Sequence, residues 1–204
     1  MAKTNYKKII TDGLFHDNPV LVQVIGICST LAVTNLCMNS LVMGIALAFV
    51  TGLSSFTLSL MRDITPKHIR MMVQVFVISF YVIIVDIFLK AYMPAMSKTL
   101  GPYVGLIITN CIIMGRAEAF AISNKPLPSL VDGFASGIGY TLVLLAVAFI
   151  RELLGFGTLF GFRVLPASFP SWTMMIMPPG AFFILPIIMW IAYNIQNKKE
   201  GAAK

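Results

Sequence analysis

Six stretches of mostly apolar residues, separated by short polar segments, constrain the fold of this chain more than any other feature. They lie at about residues 19–36, 41–61, 71–89, 103–114, 134–150 and 174–195. Only 11% of the 204 residues are charged, whereas a soluble domain carries about 25%. A helix needs about 20 apolar residues to cross the hydrocarbon core of a bilayer. The pattern therefore predicts an all-α, polytopic membrane protein with six transmembrane helices.

The same composition excludes several other classes of protein. A cytosolic enzyme or a nucleic-acid binder needs a charged, soluble surface, which this chain lacks. The basic residues behind its net charge of +7 are scattered singly or in short terminal runs, as in the loops of membrane proteins. Three cysteines cannot form a disulfide framework. We expect the lipid bilayer, and not nucleic acid, to be a partner of this chain.

The distribution of basic residues predicts the orientation in the membrane. With six crossings, one side holds ten of the 15 lysines and arginines, which are Lys3, Lys7, Lys8, Arg62, Lys67, Arg70, Lys125, Lys198, Lys199 and Lys204. The other side holds Lys90, Lys98, Arg151 and Arg163, and Arg116 lies within the fourth apolar run. Because basic loops stay on the cytoplasmic side, we expect residues 1–18 and 196–204 to be cytoplasmic. Residues 19–195 would form a single membrane domain.

The first and fourth apolar runs are too weak for ordinary crossings. Polar residues such as Gln23 and Thr30 dilute the first run, and the fourth reaches only Met114. Runs of this kind are often broken or re-entrant helices, whose freed backbone groups must be covered by protein. We therefore predict a short or broken helix at each of these two places.

The two weak runs take equivalent places in an internal repeat. Cys28 recurs as Cys111 at an offset of 83, and each cysteine follows a proline by nine residues. The pairs that share an offset of 89 are Gly44 with Gly133 and Arg62 with Arg151. The offset increases from 83 to 89, so the second half contains six additional residues between these pairs. We predict that a loop at residues 124–128 accommodates them. The halves, about 19–98 and 102–195, hold three runs each, which predicts an inverted repeat with a site near the midplane.

Cys28 and Cys111 are the candidate ligands of that site. A single free cysteine is usually a small buried hydrophobe, so packing is one interpretation of both residues. Two thiolates from opposite halves could instead bind a soft metal centre. They cannot complete a four-cysteine iron–sulfur site, so two further ligands would have to come from another chain. Cys37 has no counterpart in the repeat, and we interpret it as a packing residue.

Arg116 and Glu118 are charged residues just beyond Cys111. Charges at membrane depth are candidates for a functional role. Gly115 could instead end the short helix that contains Cys111 and leave the side chains of Arg116 and Glu118 near the membrane interface. The sequence leaves structural pairing and tuning of a metal centre open as alternatives.

Four further charged residues lie in or beside apolar runs. Asp86 is four residues before Lys90, a spacing that favours a helical ion pair over a place in an ion pathway. Arg151 and Glu152 close the fifth run, and we interpret them as anchors at the membrane interface.

Two segments of the chain resemble the Nqr/Rnf family of membrane subunits. They are residues 18–34, with Gly26-Ile27-Cys28-Ser29-Thr30, and residues 104–121, with Thr109-Asn110-Cys111 and Gly115-Arg116-Ala117-Glu118. The family includes the D-type subunit of the sodium-translocating NADH:quinone reductase and the E-type subunit of the Rnf complex. The likeness covers roughly residues 12–193. Residues 85–92 and 151–155 look like the quinone-reductase branch, and residues 177–182 are more similar to the Rnf branch.

The resemblance implies a multi-pass subunit of a bacterial inner-membrane oxidoreductase complex, with six helices in two inverted halves. It implies that Cys28 and Cys111 supply two of the four ligands of an intramembrane 2Fe–2S cluster. A sister subunit of opposite orientation would supply the other two. The resemblance implies no catalytic residue and no flavin on this chain, which would pair with other flavin and iron–sulfur subunits.

The function that follows is an electron relay in a sodium-pumping NADH:quinone oxidoreductase, with the equivalent Rnf subunit as the near alternative. A secondary transporter is the rival from another class, because inverted repeats with broken helices are also typical of transporters. The broken segments offer only cysteines, Thr109 and Asn110 as ligands, which is little for a polar solute. A purely structural scaffold is the third possibility.

Overall fold

The computed structural model describes residues 25–159, 162–163 and 177–201, which are helical apart from one pair of two-residue strands. The helices are α1 (Ile27–Val33), α2 (Cys37–Met61), α3 (Arg70–Tyr92), α4 (Pro94–Ile108), α5 (Cys111–Arg116), α6 (Pro126–Gly155) and α7 (Pro178–Gly201). A 3-10 turn at Lys67–Ile69 precedes α3, and a π-helical turn at Ala117–Ala121 follows α5. Strand β1 (Thr158–Leu159) pairs antiparallel with β2 (Phe162–Arg163).

Four segments of the described chain are long and apolar enough to cross a membrane. They are Cys37–Met61, Lys67–Tyr92, Lys98–Ala121 and Pro126–Gly155, and α7 adds a shorter apolar stretch at Gly180–Ile195. A helical, multi-pass membrane protein is thereby confirmed. The count of six crossings stays a prediction, because residues 1–24, with much of the first run, lie outside the described residues.

Helices α2 and α6 form the centre of the molecule and pack along most of their length. Their contacting pairs are Gly44 with Thr141, Ala48 with Gly137, and Gly52 with Gly133 and Phe134. The numbers rise along one helix as they fall along the other, so the two helices are antiparallel. A Cβ atom on Gly137 would lie 2.4 Å from the Cα atom of Ala48. Small residues at every fourth position therefore allow the two backbones to approach closely, as is common in membrane helix pairs.

Helix α3 lies at the edge of the described helices. It buries only Gln74, Val77, Ile78 and Val82. Most of its other large apolar side chains are exposed, including Met71, Met72, Phe76, Phe80, Ile83, Ile87 and Phe88. A helix that exposes so much apolar surface is consistent with contact to lipid.

The start of α6 corrects one expectation from the sequence. The expected loop at residues 124–128 is wrong beyond Lys125, because the helix begins at Pro126 and contains Pro128 in its first turn. The first N–H groups of a helix have no acceptor within the helix, so prolines there remove no hydrogen bond. Helix α6 is therefore longer than its apolar run, with 30 residues.

Candidate metal centre at two half-helices

Both weak runs contain a short helix that begins at or next to a cysteine. In the fourth run, α4 ends at Ile108 and α5 begins at Cys111, which confirms a broken helix there. In the first run, α1 begins at Ile27, directly after Gly26. Gly26 has a φ of +86°, and a Cβ atom on it would lie 2.4 Å from Ile112 Cδ1 in α5. Only glycine adopts that conformation readily, so Gly26 permits both the turn into α1 and the close contact with α5.

Cys28 and Cys111 are both exposed free thiols. Cys28 is in the first turn of α1, and Cys111 is the first residue of α5. The side chain of Asn110 caps α5, because its Oδ1 accepts a hydrogen bond from the Ile112 N–H at 3.1 Å. Among the described residues, no side chain caps the start of α1.

A buried group of three polar side chains joins the starts of the two half-helices. Asn110 Nδ2 donates to Ser29 Oγ at 3.1 Å, and Ser29 Oγ is also 2.7 Å from the hydroxyl oxygen of Tyr140 in α6. Ser29, Asn110 and Tyr140 are all buried. Ser29 directly follows Cys28, and Asn110 directly precedes Cys111. The structure therefore brings the two candidate ligands into one region of the surface.

The far end of α1 is held by Arg151 and Glu152 of α6. Arg151 Nη1 donates to Thr34 Oγ1 at 2.8 Å, and Glu152 Oε2 accepts a hydrogen bond from the Cys37 N–H at 2.7 Å. Arg151 and Glu152 are only 2% and 1% exposed. The interpretation of both residues as interfacial anchors is therefore wrong, because an anchor must reach the lipid headgroups. They fix the corner between α1 and α2.

The far end of α5 is held by a buried ion pair. Arg116 Nε donates to Asp132 Oδ2 at 3.1 Å, and Arg116 Nη2 donates to Asp132 Oδ1. Both residues are buried. Gly115 does not end the half-helix, because α5 continues through Arg116 into the π-helical turn. Arg116 is thus paired with Asp132, as the structural alternative expected, and tuning of a metal centre stays a hypothesis.

Glu118 is also paired, at the edge of the molecule. Its carboxylate oxygens accept hydrogen bonds from Arg70 Nη1 at 3.0 Å and from Gln74 Nε2 at 2.9 Å. These bonds connect the π-helical turn to the start of α3. Glu118 is therefore bound to a helix that carries neither cysteine.

Two further predictions from the sequence are confirmed. Lys90 Nζ lies 2.6 Å from Asp86 Oδ2, so these residues form the expected helical ion pair. Cys37 is 1% exposed and lies in the core, as expected for a packing residue.

The donor set at this surface is two exposed thiols. In the part of the chain that the structure describes, no group of three or more His, Cys, Asp or Glu residues could hold a metal ion. Thiolates are the ligands of iron–sulfur clusters, and four are required for a 2Fe–2S centre with cysteine ligands. Cys28 and Cys111 are donors of the kind that such a centre requires, and they number two of the four.

Sequence reasoning missed the contributions of Tyr140 and Asp132. Tyr140 is one of three aromatic residues in the fifth apolar run, and nothing in the local pattern separates it from a core residue. Asp132 did carry a signal. It is an acidic residue at the start of an apolar run. Arg116, the basic residue inside the fourth run, was assigned to neither side of the membrane and to no partner in the sequence.

Comparison with known proteins identifies the family. The family model described as "Rnf-Nqr subunit, membrane protein" matches residues 6–189. The chain belongs to the Rnf-Nqr family. It is similar to the D subunit of the Na(+)-translocating NADH-quinone reductase of Chlamydia pneumoniae, with 46% identity over 209 residues and 98% of each chain covered. The corresponding protein of Chlamydia trachomatis serovar L2 is 47% identical over 205 residues, with 96% of each chain covered. The resemblance noted from the motifs is confirmed, and both half-helices of this Rnf-Nqr family member lie within the matched range.

Proposed function

We propose that this chain is the D-type subunit of a Na+-translocating NADH-quinone reductase and that it relays electrons across the membrane. Cys28 and Cys111 would hold one half of a 2Fe–2S cluster shared with a sister subunit. The observation that carries the proposal is the hydrogen bond between Ser29 and Asn110, which joins the two exposed thiol-bearing helix starts. The near full-length likeness to proteins with that name supports the choice of complex.

A relay centre near the midplane answers a physical need. The hydrocarbon core is about 30 Å thick, which is too far for useful electron tunnelling in one step. The bound cluster would supply a one-electron redox centre that divides this distance. The residues of this chain provide two thiolate ligands and hold them in place.

The packing of α2 against α6 supports the proposed inverted repeat. Cys37 and Pro126, the first residues of these helices, differ by 89 positions, the repeat offset. Ala48 and Gly137 also differ by 89, and they contact each other. A residue that contacts its own repeat equivalent lies on the two-fold axis that relates the halves. The same offset relates Gly44 to Gly133 and Gly52 to Thr141. The contact of Gly44 with Thr141 is therefore equivalent to the contact of Gly133 with Gly52, as a two-fold axis requires.

The polar groups of the broken segments argue against the transporter alternative. A transporter must present polar groups to its solute. Here Ser29 and Asn110 are buried and bonded to each other, and the Asn110 oxygen caps α5. The exposed groups at this place are the two thiols and the Thr109 side chain. The thiols suit a soft metal centre better than a polar solute, and one threonine is little for a solute site.

Alanine substitution of each cysteine tests the proposal. Cys28→Ala and Cys111→Ala should each abolish the cluster, because loss of one thiolate leaves an iron without a ligand. Cys37→Ala is the matched control, since Cys37 is buried in the core and should leave the cluster intact. The measurements are iron content, the electron paramagnetic resonance signal and NADH-driven quinone reduction in the assembled complex. Normal iron and turnover in Cys28→Ala or Cys111→Ala would refute the proposal.

Two further measurements test the partnership and the orientation. The chain produced without its sister subunit should hold no iron, because it supplies two ligands of four. A reporter fused after Lys199 should behave as cytoplasmic. Full cluster iron in the chain alone would contradict the shared site, and a periplasmic reporter would contradict the six-crossing topology.

A further inference from the structure

The Tyr140 hydroxyl joins both half-helices to the longest helix of the described chain. Tyr140 is fully buried, and its hydroxyl oxygen lies 2.7 Å from Ser29 Oγ. Ser29 Oγ also donates to the Gly26 carbonyl at 3.1 Å. Asn110 Nδ2 donates to the same Ser29 oxygen, which therefore has contacts with Gly26, Tyr140 and Asn110. This oxygen is the point at which α1, α5 and α6 are bonded together.

We propose that Tyr140 and Ser29 are positioning residues that set the spacing between the thiols of Cys28 and Cys111. The inference rests on the proposed function, because it concerns the same two cysteines. Helices α1 and α5 have 7 and 6 residues, and helices this short are not stable alone, so their positions depend on their contacts with the rest of the protein. A buried and satisfied hydrogen-bond network can fix such a position because its bonds are directional. Outer-shell partners of this kind orient metal ligands.

Tyr140→Phe removes one oxygen atom and keeps the ring that fills the core. In the assembled complex we expect an altered line shape of the reduced cluster by electron paramagnetic resonance. We also expect quinone reduction to fall roughly 10-fold to 100-fold, the usual effect of losing an outer-shell partner. Tyr81→Phe is the matched control, because it removes another hydroxyl contact between helices, the 2.7 Å contact of Tyr81 with Thr57 Oγ1. A wild-type spectrum and turnover in Tyr140→Phe would overturn the inference.

A second variant tests the same network with a smaller change in volume. Ser29→Ala removes the shared oxygen and keeps a good helix former in α1. Ser54→Ala is its control, since Ser54 is fully buried but its hydroxyl donates to Thr51 O within α2. Ser29→Ala should alter the line shape of the reduced cluster, as predicted for Tyr140→Phe. This variant tests the network even if the Tyr140→Phe complex fails to accumulate. A Ser29→Ala complex that matches Ser54→Ala would count against the inference.

Thiol cross-linking measures the spacing without a cluster. The complex is stripped of iron in a Cys37→Ala background and treated with a short bifunctional maleimide, and mass spectrometry gives the yield of the Cys28–Cys111 cross-link. The yield should fall in Tyr140→Phe and Ser29→Ala and stay unchanged in both controls. If it falls while Cys28→Ala retains iron, the positioning role stands and the cluster proposal fails. An unchanged yield in both variants overturns the positioning role, whatever the cluster does.

Discussion

The central helix pair and the two half-helices are held in place by different interactions. Helices α2 and α6 contact each other over several turns through small residues, so that backbone meets backbone at Gly133 and Gly137. Close packing over such a length places a helix without directional bonds between side chains. The pair is the rigid centre against which the shorter elements are arranged.

The half-helices are instead held by polar bonds at both ends. At their starts, Ser29 and Asn110 are bonded to each other and Ser29 to Tyr140. At their far ends, α1 is bonded to Arg151 and α5 to Asp132. The comparison indicates how short helices that carry ligands are fixed. Packing of apolar surface alone does not fix them, and directional hydrogen bonds at their ends are also needed.

The largest effect should come from breaking the buried ion pair at the end of α5. Asp132→Ala leaves the Arg116 guanidinium in the interior without that carboxylate, and loss of one partner of a buried pair costs about 3–5 kcal/mol. We expect a large fall in the Tm of the purified complex. The double variant Arg116→Leu/Asp132→Leu should recover most of that loss, since neither charge remains. If Asp132→Ala were as stable as the wild type, the ion pair with Arg116 would not be what holds this half-helix.

The next effect should come from the central pair. Gly137→Leu places a side chain where the Ala48 backbone already lies, and overpacking of this kind costs about 3 kcal/mol at its upper range. We expect a lower Tm and separation of α2 from α6. Gly105→Ala in α4 is the control, because no other helix of the described chain comes within 4 Å of a Cβ there. If both variants had the same Tm, the close contact of the central pair would not matter for stability.

Glu152→Ala should have a smaller effect at the corner between α1 and α2. It leaves the buried Cys37 N–H without that acceptor, which costs about 2 kcal/mol. Asp63 is the control, since it differs from Glu152 by the repeat offset of 89 and its side chain is 84% exposed. The residue 89 positions after Cys37 is Pro126, which has no N–H that Asp63 could bind. Asp63→Ala should leave the Tm unchanged, and a loss equal to that of Glu152→Ala would contradict this account.

Gly26→Ala should have the smallest effect of the four. The left-handed backbone at Gly26 disfavours a Cβ atom by about 1 kcal/mol. The Cβ would also press on the flexible end of Ile112, which can move. We expect a modest fall in Tm together with a lower yield of the Cys28–Cys111 cross-link, because the start of α1 must shift. A lower Tm with an unchanged cross-link yield would show that backbone strain at Gly26 does not move Cys28, contrary to this prediction.

The sequence by itself determined the class of protein and the elements that carry the candidate site. Long apolar runs in α2, α3 and α6 require a membrane environment, because their hydrophobicity is a local property of the chain. The weakness of the fourth run predicted the break before Cys111, and the spacing of Asp86 and Lys90 predicted their ion pair. These features depend on residues that are close together in the chain.

The tertiary structure alone decided which polar groups from distant parts of the chain meet. Tyr140 and Ser29 are 111 positions apart, and Arg151 and Thr34 are 117 apart. Pairing across such distances depends on how whole helices pack, which no local pattern contains. The same reason explains the error over Arg151 and Glu152. Their position at the end of an apolar run suggested the membrane surface, but the corner between α1 and α2 covers them, and burial of charged groups requires the partners that this corner provides.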